Sequence, residues 1–388
     1  MSKVAIVYCG SYEYSEVKKA VERGFALLGG SSVFVHPNEK ILIKPNWLSA
    51  DPPEKCVTTH PAVFKAVSEV LQSAGVKLSY GDSPAFHSPE TAAKRTGISA
   101  IADELKIPLA DFKSGKEVHF NEGHQNKKFT IANAVLENDG VISLPKMKTH
   151  GFQRVTGAIK NQFGCIPGAL KGEFHVKVPD AYEFAKMLID LNSYIHPRLY
   201  IMDGILAMEG NGPKGGTPKK MNVLLFSTDP IALDATECRL MNLDPALVLT
   251  NKAGMEMGAG TYLKKDIEIL GDPINNFIAL DFDVNRKPEK PFKNSGGIQF
   301  VKNAITPRPY IVAEHCIKCG ICVNMCPVDP KAVNWHDGNK NNPPSYKYDR
   351  CIRCYCCQEL CPEGAIRIKQ PFIRRIFSRK TSREKTSS

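Results

Sequence analysis

Two stretches near the C-terminal end read Cys316-Ile-Lys-Cys319-Gly-Ile-Cys322-Val-Asn-Met-Cys326-Pro327 and Cys351-Ile-Arg-Cys354-Tyr-Cys-Cys357-Gln-Glu-Leu-Cys361-Pro362. Each is a Cys-x2-Cys-x2-Cys-x3-Cys-Pro run, and together they use eight of the thirteen cysteines. Such regularity in a chain with no export signal points to metal ligation rather than disulfides. Zinc also takes thiolates from Cys-x2-Cys pairs. Two complete runs, each closed by Cys-Pro, fit instead an iron–sulfur cubane, which needs four thiolates at the corners of a tetrahedron. A short wrapping loop supplies three of them but not easily the fourth. Gly320 stands where the backbone has to pass close to the sulfides.

The same run occurs in bacterial ferredoxins that carry two [4Fe-4S] clusters, and residues 310–370 resemble them. The resemblance implies a crossed ligand set. One cluster takes Cys316, Cys319, Cys322 and Cys361, and the other takes Cys351, Cys354, Cys357 and Cys326. Residues 310–313 and 365–368 read as short strands at the two ends of this small α+β domain. Cys356 is out of phase and reads as a packed thiol. Cys9, Cys56, Cys165 and Cys238 take the same reading, with Cys165 the one to check for reactivity.

Upstream, strand-like and helix-like segments alternate. Strands are predicted at 4–8, 41–43, 77–80, 140–144, 199–203 and 223–226. Helices are predicted at 16–28, 61–73, 91–105, 181–194 and 230–241. This alternation predicts an α/β domain over residues 1–285, with a mainly parallel sheet flanked by helices. Residues 286–309 are Pro- and Gly-bearing and charged, as in a linker. The tail, 371–388, is basic and Ser/Thr-rich and reads as disordered. Of the formal net charge of +11, +7 lies in residues 367–388, where eight Lys and Arg face Glu384 alone. A nucleic-acid-binding body is therefore not expected. Phe372, Ile373, Ile376 and Phe377 share one helical face in that tail, so membrane-surface contact is the alternative to a solvated tail. No run of about 18 apolar residues and no signal-peptide pattern is present, which predicts a cytoplasmic protein.

Polar clusters fall at the ends of the predicted strands, where α/β folds place their sites. They include Lys44-Pro45-Asn46, Thr58-Thr59-His60-Pro61, Gly81-Asp82-Ser83-Pro84, residues 145–150, Lys160-Asn161, Asp203-Gly204 and Asp229-Pro230. Lys44, Asp82, His150 and Lys160 are the catalytic candidates, and Lys146, Lys148, His150 and Lys160 suggest an anion-binding surface. Gly210-Asn-Gly212-Pro-Lys-Gly215 matches GxGxxG, but a strand rather than a helix is predicted next. That excludes a dinucleotide fingerprint and leaves a ligand loop or a plain hairpin.

These clusters, with residues 145–164, 203–213 and 229–235, resemble the domain-of-unknown-function family 362 of iron–sulfur-centre proteins. In that family an α/β domain is often followed by a ferredoxin module. The stretch from His150 through Lys160 to Pro167-Gly168 is also similar to the His…Gly-x-x-Lys…Pro-Gly segment of nickel-pincer lactate racemases, where the lysine anchors the cofactor. Extra residues between Lys160 and Pro167, and the lack of a nickel-ligand set, separate the two. Three functions follow as expectations. The first is electron transfer between the clusters and a substrate or cofactor in the α/β domain. The second is a dedicated electron carrier with a docking domain. The third is an isomerase-like enzyme with structural clusters. The partner is a redox protein or a small-molecule substrate.

Overall fold

The structure, a computed structural model, describes residues 1–288 and 306–369. It divides into two compact units, Met1–Lys171 with Asp180–Lys287, and Gly172–Pro179 with the chain from Pro288 onward. Most of the predicted linker and the whole basic tail lie outside the described residues. Among the described residues no helix is long and apolar enough to cross a membrane.

The first unit opens with β1 (Ser2–Tyr8), α1 (Tyr14–Leu27), β2 (Lys40–Pro45), α2 (Pro61–Ser73) and β3 (Lys77–Tyr80), as the alternation predicts. Where one helix is expected at 91–105, two form, α3 (Pro89–Arg95) and α4 (Ile98–Glu104). Gly97 separates them with a φ of 77°, a left-handed turn that ends the first helix. Next come β4 (Gly115–His119), β5 (Lys128–Ala132), α5 (Asn133–Leu136), β6 (Gly140–Leu144), β7 (Lys146–His150) and β8 (Arg154–Val155). After α6 (Gly157–Asn161) comes α7 (Leu170–Lys177), most of which belongs to the second unit, and α8 (Ala181–Ile195) then leads to β9 (Leu199–Glu209) and β10 (Thr217–Ser227). The unit closes with α9 (Pro230–Leu240), α10 (Leu249–Glu256) and β11 (Ile267–Gly271). Carboxylates cap two of these helices. Asp180 accepts from the amides of Tyr182 and Glu183, and Asp229 accepts from those of Ile231 and Ala232.

Among the described residues nine strands form one sheet, ordered β11-β1-β10-β9-β6-β2-β3, with β7 beside β9 and β8 beside β7. Only β10 and β8 run against the rest. The sheet is thus mainly parallel. Helices cover both faces. Residues of α1 to α4 pack with Ile41, Ile43, Ile142 and Leu144 on one side. Residues of α6 and α9 pack with Met147, Tyr200 and Met202 on the other. The chain moves outward from β2 to β3 through α2, then returns past β2 to β6 and continues to β9. The connections leaving β2 and β6 therefore diverge, which makes the carboxyl ends of these two strands a topological switch point. Between β9 and β10 the Gly-rich stretch 210–216 is a hairpin turn, as its plainer reading held.

In the second unit β12 (Arg308–Ile311) pairs antiparallel with β15 (Ile366–Lys369), and β13 (Val333–Asn334) pairs with β14 (Ser345–Tyr346). The strand at Arg308–Ile311 takes in the last two residues of the predicted linker, because its ladder partner extends to Lys369. A one-turn helix follows each Cys-x2-Cys loop, at Ile321–Asn324 and Cys356–Glu359. Its small core joins Cys322, Cys326 and Cys357 with Val323, Val333 and Ile366.

Candidate functional site

The cysteine module repeats one backbone conformation twice. Lys318 and Arg353 have φ of 59° and 65°, and Gly320 and Tyr355 have φ of 78° and 61°. Left-handed residues on both sides of the second cysteine turn each loop around one centre. Tyr355 takes the conformation that glycine takes in the first loop, and its hydroxyl donates to the Pro307 carbonyl at 2.8 Å.

A cavity opens inside the first loop, lined by Cys316, Cys319, Cys322 and Cys361 together with Ile311, Gly320, Pro362 and Ala365. Three of these thiols come from the first run and one from the second. Burial, and then the neighbouring Cys361, Cys319 and Cys316, push the Cys322 thiol up to about 12. Four cysteines around an apolar hollow form a donor set that a cubane would satisfy. Around the second loop, Cys351 and Cys354 stand close enough to Cys357 to act on its ionisation, and Tyr346 donates its hydroxyl to the Cys357 sulfur at 3.2 Å. Cys326 shares the module core with Cys357 and Cys351. Cys356 is buried and hydrogen-bonds its thiol to Cys354, which lowers the Cys354 pKa.

At the switch point of the α/β unit, Lys44 and Asp82 form a buried ion pair at 3.0 Å. Lys44 is fully buried, at the end of β2, and its ammonium also donates to the Asn161 side-chain oxygen at 3.2 Å. Asp82, just past β3, accepts from the amides of Trp47 and Ser83 at 2.7 and 2.8 Å. The network continues through Asn46, which donates to Asn161 at 2.8 Å and accepts from the Lys148 ammonium at 2.7 Å. Asn161 and Gln162 both donate to the Ser143 hydroxyl. The turn Gln162–Cys165 presses its backbone onto the ion pair. A Cβ on Gly164 would sit 1.9 Å from an Asp82 carboxylate oxygen.

A second buried pair lies one strand away. Lys146 meets Asp203 at 2.7 Å, and both contact the Tyr12 hydroxyl, which donates to Asp203 and accepts from Lys146. The Tyr12 ring stacks on His60 with centroids 3.5 Å apart. Burial, and then Lys146, lowers the His60 pKa to about 4, so its imidazole is neutral. Its Nδ1 accepts the Ala62 amide, which places the proton on Nε2.

The structure thus brings Lys44 and Asp82 together. His150 is buried at the end of β7, where its Nδ1 accepts the amides of Phe152 and Gln153. Lys160 is half-buried on α6, with its ammonium 5.1 Å from the Phe163 ring centroid. Burial pushes the Cys165 thiol up to about 12, which leaves it a neutral packed thiol. Sequence reasoning missed Lys171. The residue is half-buried, and its ammonium donates to the Ser83 carbonyl, the Ser83 hydroxyl and the Ile166 carbonyl, each within 3.0 Å. Burial lowers its pKa to about 7, against the pull of Asp82. No residue pattern marks such a lysine, because its perturbation comes from tertiary burial alone. Together these groups make a pre-ordered, strongly polar floor at the sheet's carboxyl edge, with one amine able to exchange a proton near neutrality.

Residues 41–239 match the family described as Domain of unknown function (DUF362), and residues 307–365 match the 4Fe-4S dicluster domain. The polypeptide is therefore a 4Fe-4S iron–sulfur protein. The thylakoid-associated protein of Synechocystis sp. is 35% identical over 316 residues, covering 79% of this chain and 98% of its own. Among solved structures, the lactate racemase apoprotein from Thermoanaerobacterium thermosaccharolyticum is similar with a TM-score of 0.40 and 15% identity, over 62% of this chain and 56% of the racemase. A Thermotoga maritima protein is similar with a TM-score of 0.34 and 10% identity, over 64% of this chain and 59% of its own. This chain spans less than two thirds of either solved protein.

Proposed function

The chain belongs to the DUF362 family, and from that premise we propose that it holds two [4Fe-4S] clusters and exchanges electrons with a ligand bound at the α/β unit. The observation that carries this reading is the hollow lined by Cys316, Cys319, Cys322 and Cys361. Those residues would hold the first cluster, and Cys351, Cys354, Cys357 and Cys326 the second. When bound, the clusters supply one-electron chemistry at potentials set by their surroundings. The chain's own groups would tune them. The Tyr346 hydroxyl donates to Cys357, and the Ala365 amide donates to Cys361 at 3.2 Å. Hydrogen bonds to ligand sulfur favour the reduced, more negative cluster.

In the α/β unit, the floor built on Lys44–Asp82 and Lys146–Asp203 would orient an anionic or polar ligand rather than react with it, since all four groups are buried and paired. Lys171 would hold or release a proton there, and Lys160 and His150 would complete the anion-binding surface. On this reading the protein is an oxidoreductase of the cytoplasm, with a redox protein as its electron partner.

The test is anaerobic. Reduced, cluster-loaded protein is offered flavins and small organic acids while the cluster absorbance is followed. Stoichiometric reoxidation by one of them, slowed in Lys171→Met and Lys160→Ala, supports the reading. Clusters that no low-potential reductant bleaches would sink it. Ligand-independent reoxidation by a carrier protein alone would instead favour a dedicated carrier.

A further inference from the structure

Resting on that redox reading, we infer that the first cysteine loop is the module's electron port, docking a small one-electron carrier protein through Ile317, while the second loop is closed to such partners. The two loops share their sequence frame and their backbone, with left-handed residues at matching positions, Lys318 with Arg353 and Gly320 with Tyr355. Loop shape therefore cannot account for the difference in exposure between them. Ile317 is 61% exposed, whereas Ile352 is half-buried. Cys319 is exposed, while its counterpart Cys354 is only 9% exposed. Lys318 is exposed, and Arg353 is buried at 6%.

Contacts within the module hold side chains of the second loop in place. Arg353 donates to the Tyr348 and Cys351 carbonyls, and its guanidinium lies 5.3 Å from the Tyr348 ring centroid. Tyr355 replaces a glycine and ties its hydroxyl to Pro307. Among the described residues no such hydrogen bond holds Ile317 or Lys318, which stand exposed between Cys316 and Cys319.

Electron exchange between proteins needs a cofactor edge near the surface, and an exposed ligand cysteine, Cys319, provides one. The surface around it has the layout of a transient interface. An isoleucine forms the apolar centre, and exposed Lys318 and Glu363, which line the same cavity, form a charged rim. The rim carries both signs, so apolar contact rather than strong steering selects the partner. A protein of this kind buries a small interface, below about 1,200 Å² in total. In the step itself the reduced carrier loses one electron and the module gains it, with no bond made or broken.

The test uses the full-length, cluster-loaded protein under anaerobic stopped flow, with two donors: reduced flavodoxin as the protein probe and methyl viologen radical as the small one. Iron content and the spectrum of the oxidised protein establish that each variant is loaded like the wild type. Ile317→Glu, with Ile317→Ser as the milder variant, is expected to slow reduction by flavodoxin about tenfold, as loss of a central interface residue does. Reduction by viologen radical should keep its wild-type rate, and Ile352→Ser should leave both rates unchanged. The port assignment is overturned if flavodoxin reduces both Ile317 variants at the wild-type rate, or if Ile352→Ser is the slower one. Equal slowing with both donors also overturns it, since that marks a change in the cluster rather than in docking. Clusters bleached by neither donor would remove the redox reading and the port together.

Discussion

At the scale of single residues, burial decides what each polar group can do. Lys44 and Asp82 have almost no contact with solvent and satisfy each other, so removing either leaves an uncompensated charge inside the protein. Lys44→Ala should cost about 3–5 kcal/mol, and the double replacement Lys44→Met with Asp82→Leu should recover much of that loss. Urea unfolding of the three variants checks it. Gly164→Ala should cost about 1–3 kcal/mol by the same assay, because the new methyl has to displace the Asp82 carboxylate. Lys44 and Asp82 were legible from their places after apolar strands, whereas the partner that joins them, Asn161, was seen only as a neighbour of Lys160. The setting of Lys171 was not legible at all. A lysine after a Pro-Gly turn looks solvated until the tertiary fold supplies three acceptors for it.

At the scale of elements, α9 carries an unusual load for a buried helix. Asp234 and Glu237 are both fully buried on it, and Asp234 accepts the amides of Ala158 and Ile159 at the start of α6. Burial raises both carboxyl pKa values, and the nearby Asp234 raises that of Glu237 further. The folded protein then keeps protons that the unfolded chain releases above about pH 4. Because the folded state binds more protons, stability falls as pH rises from there. Glu237→Gln should flatten that fall and raise the midpoint of thermal unfolding at about pH 8 relative to the wild type. A steeper fall in the variant would contradict the assignment. Long periodic elements such as α2 and β6 were legible to the residue. The break between α3 and α4 was not, since Gly97 is tolerated in a helix pattern and only its left-handed conformation ends one. The hairpin β4–β5 was missed because β4 is largely exposed and has no apolar alternation, while the alternation of Phe129 and Ile131 in β5 spans only five residues.

At the scale of the whole molecule, the sequence spacing of cysteines said more than any other feature, because a cubane imposes its ligand count and loop length on the chain. Through the ferredoxin resemblance it also implies a crossed ligand set that joins Cys361 to the first run, and in the structure Cys316, Cys319, Cys322 and Cys361 line one cavity. Cys356, outside the frame, should be dispensable for loading, so Cys356→Ala is expected to keep its iron. The α/β unit is legible in class and in the edge that carries its polar network, but its chemistry depends on burial and pairing that no spacing encodes. The most direct test of the account is the iron and acid-labile sulfide content of anaerobically prepared protein, compared with Cys361→Ala, Cys316→Ala and Cys351→Ala, with EPR of each after reduction. The account predicts two reducible [4Fe-4S] clusters in the parent and the loss of the same cluster in Cys361→Ala and Cys316→Ala, with the other lost in Cys351→Ala. Bound zinc, a single cluster, or a Cys361→Ala protein that loses the cluster lost in Cys351→Ala would contradict it.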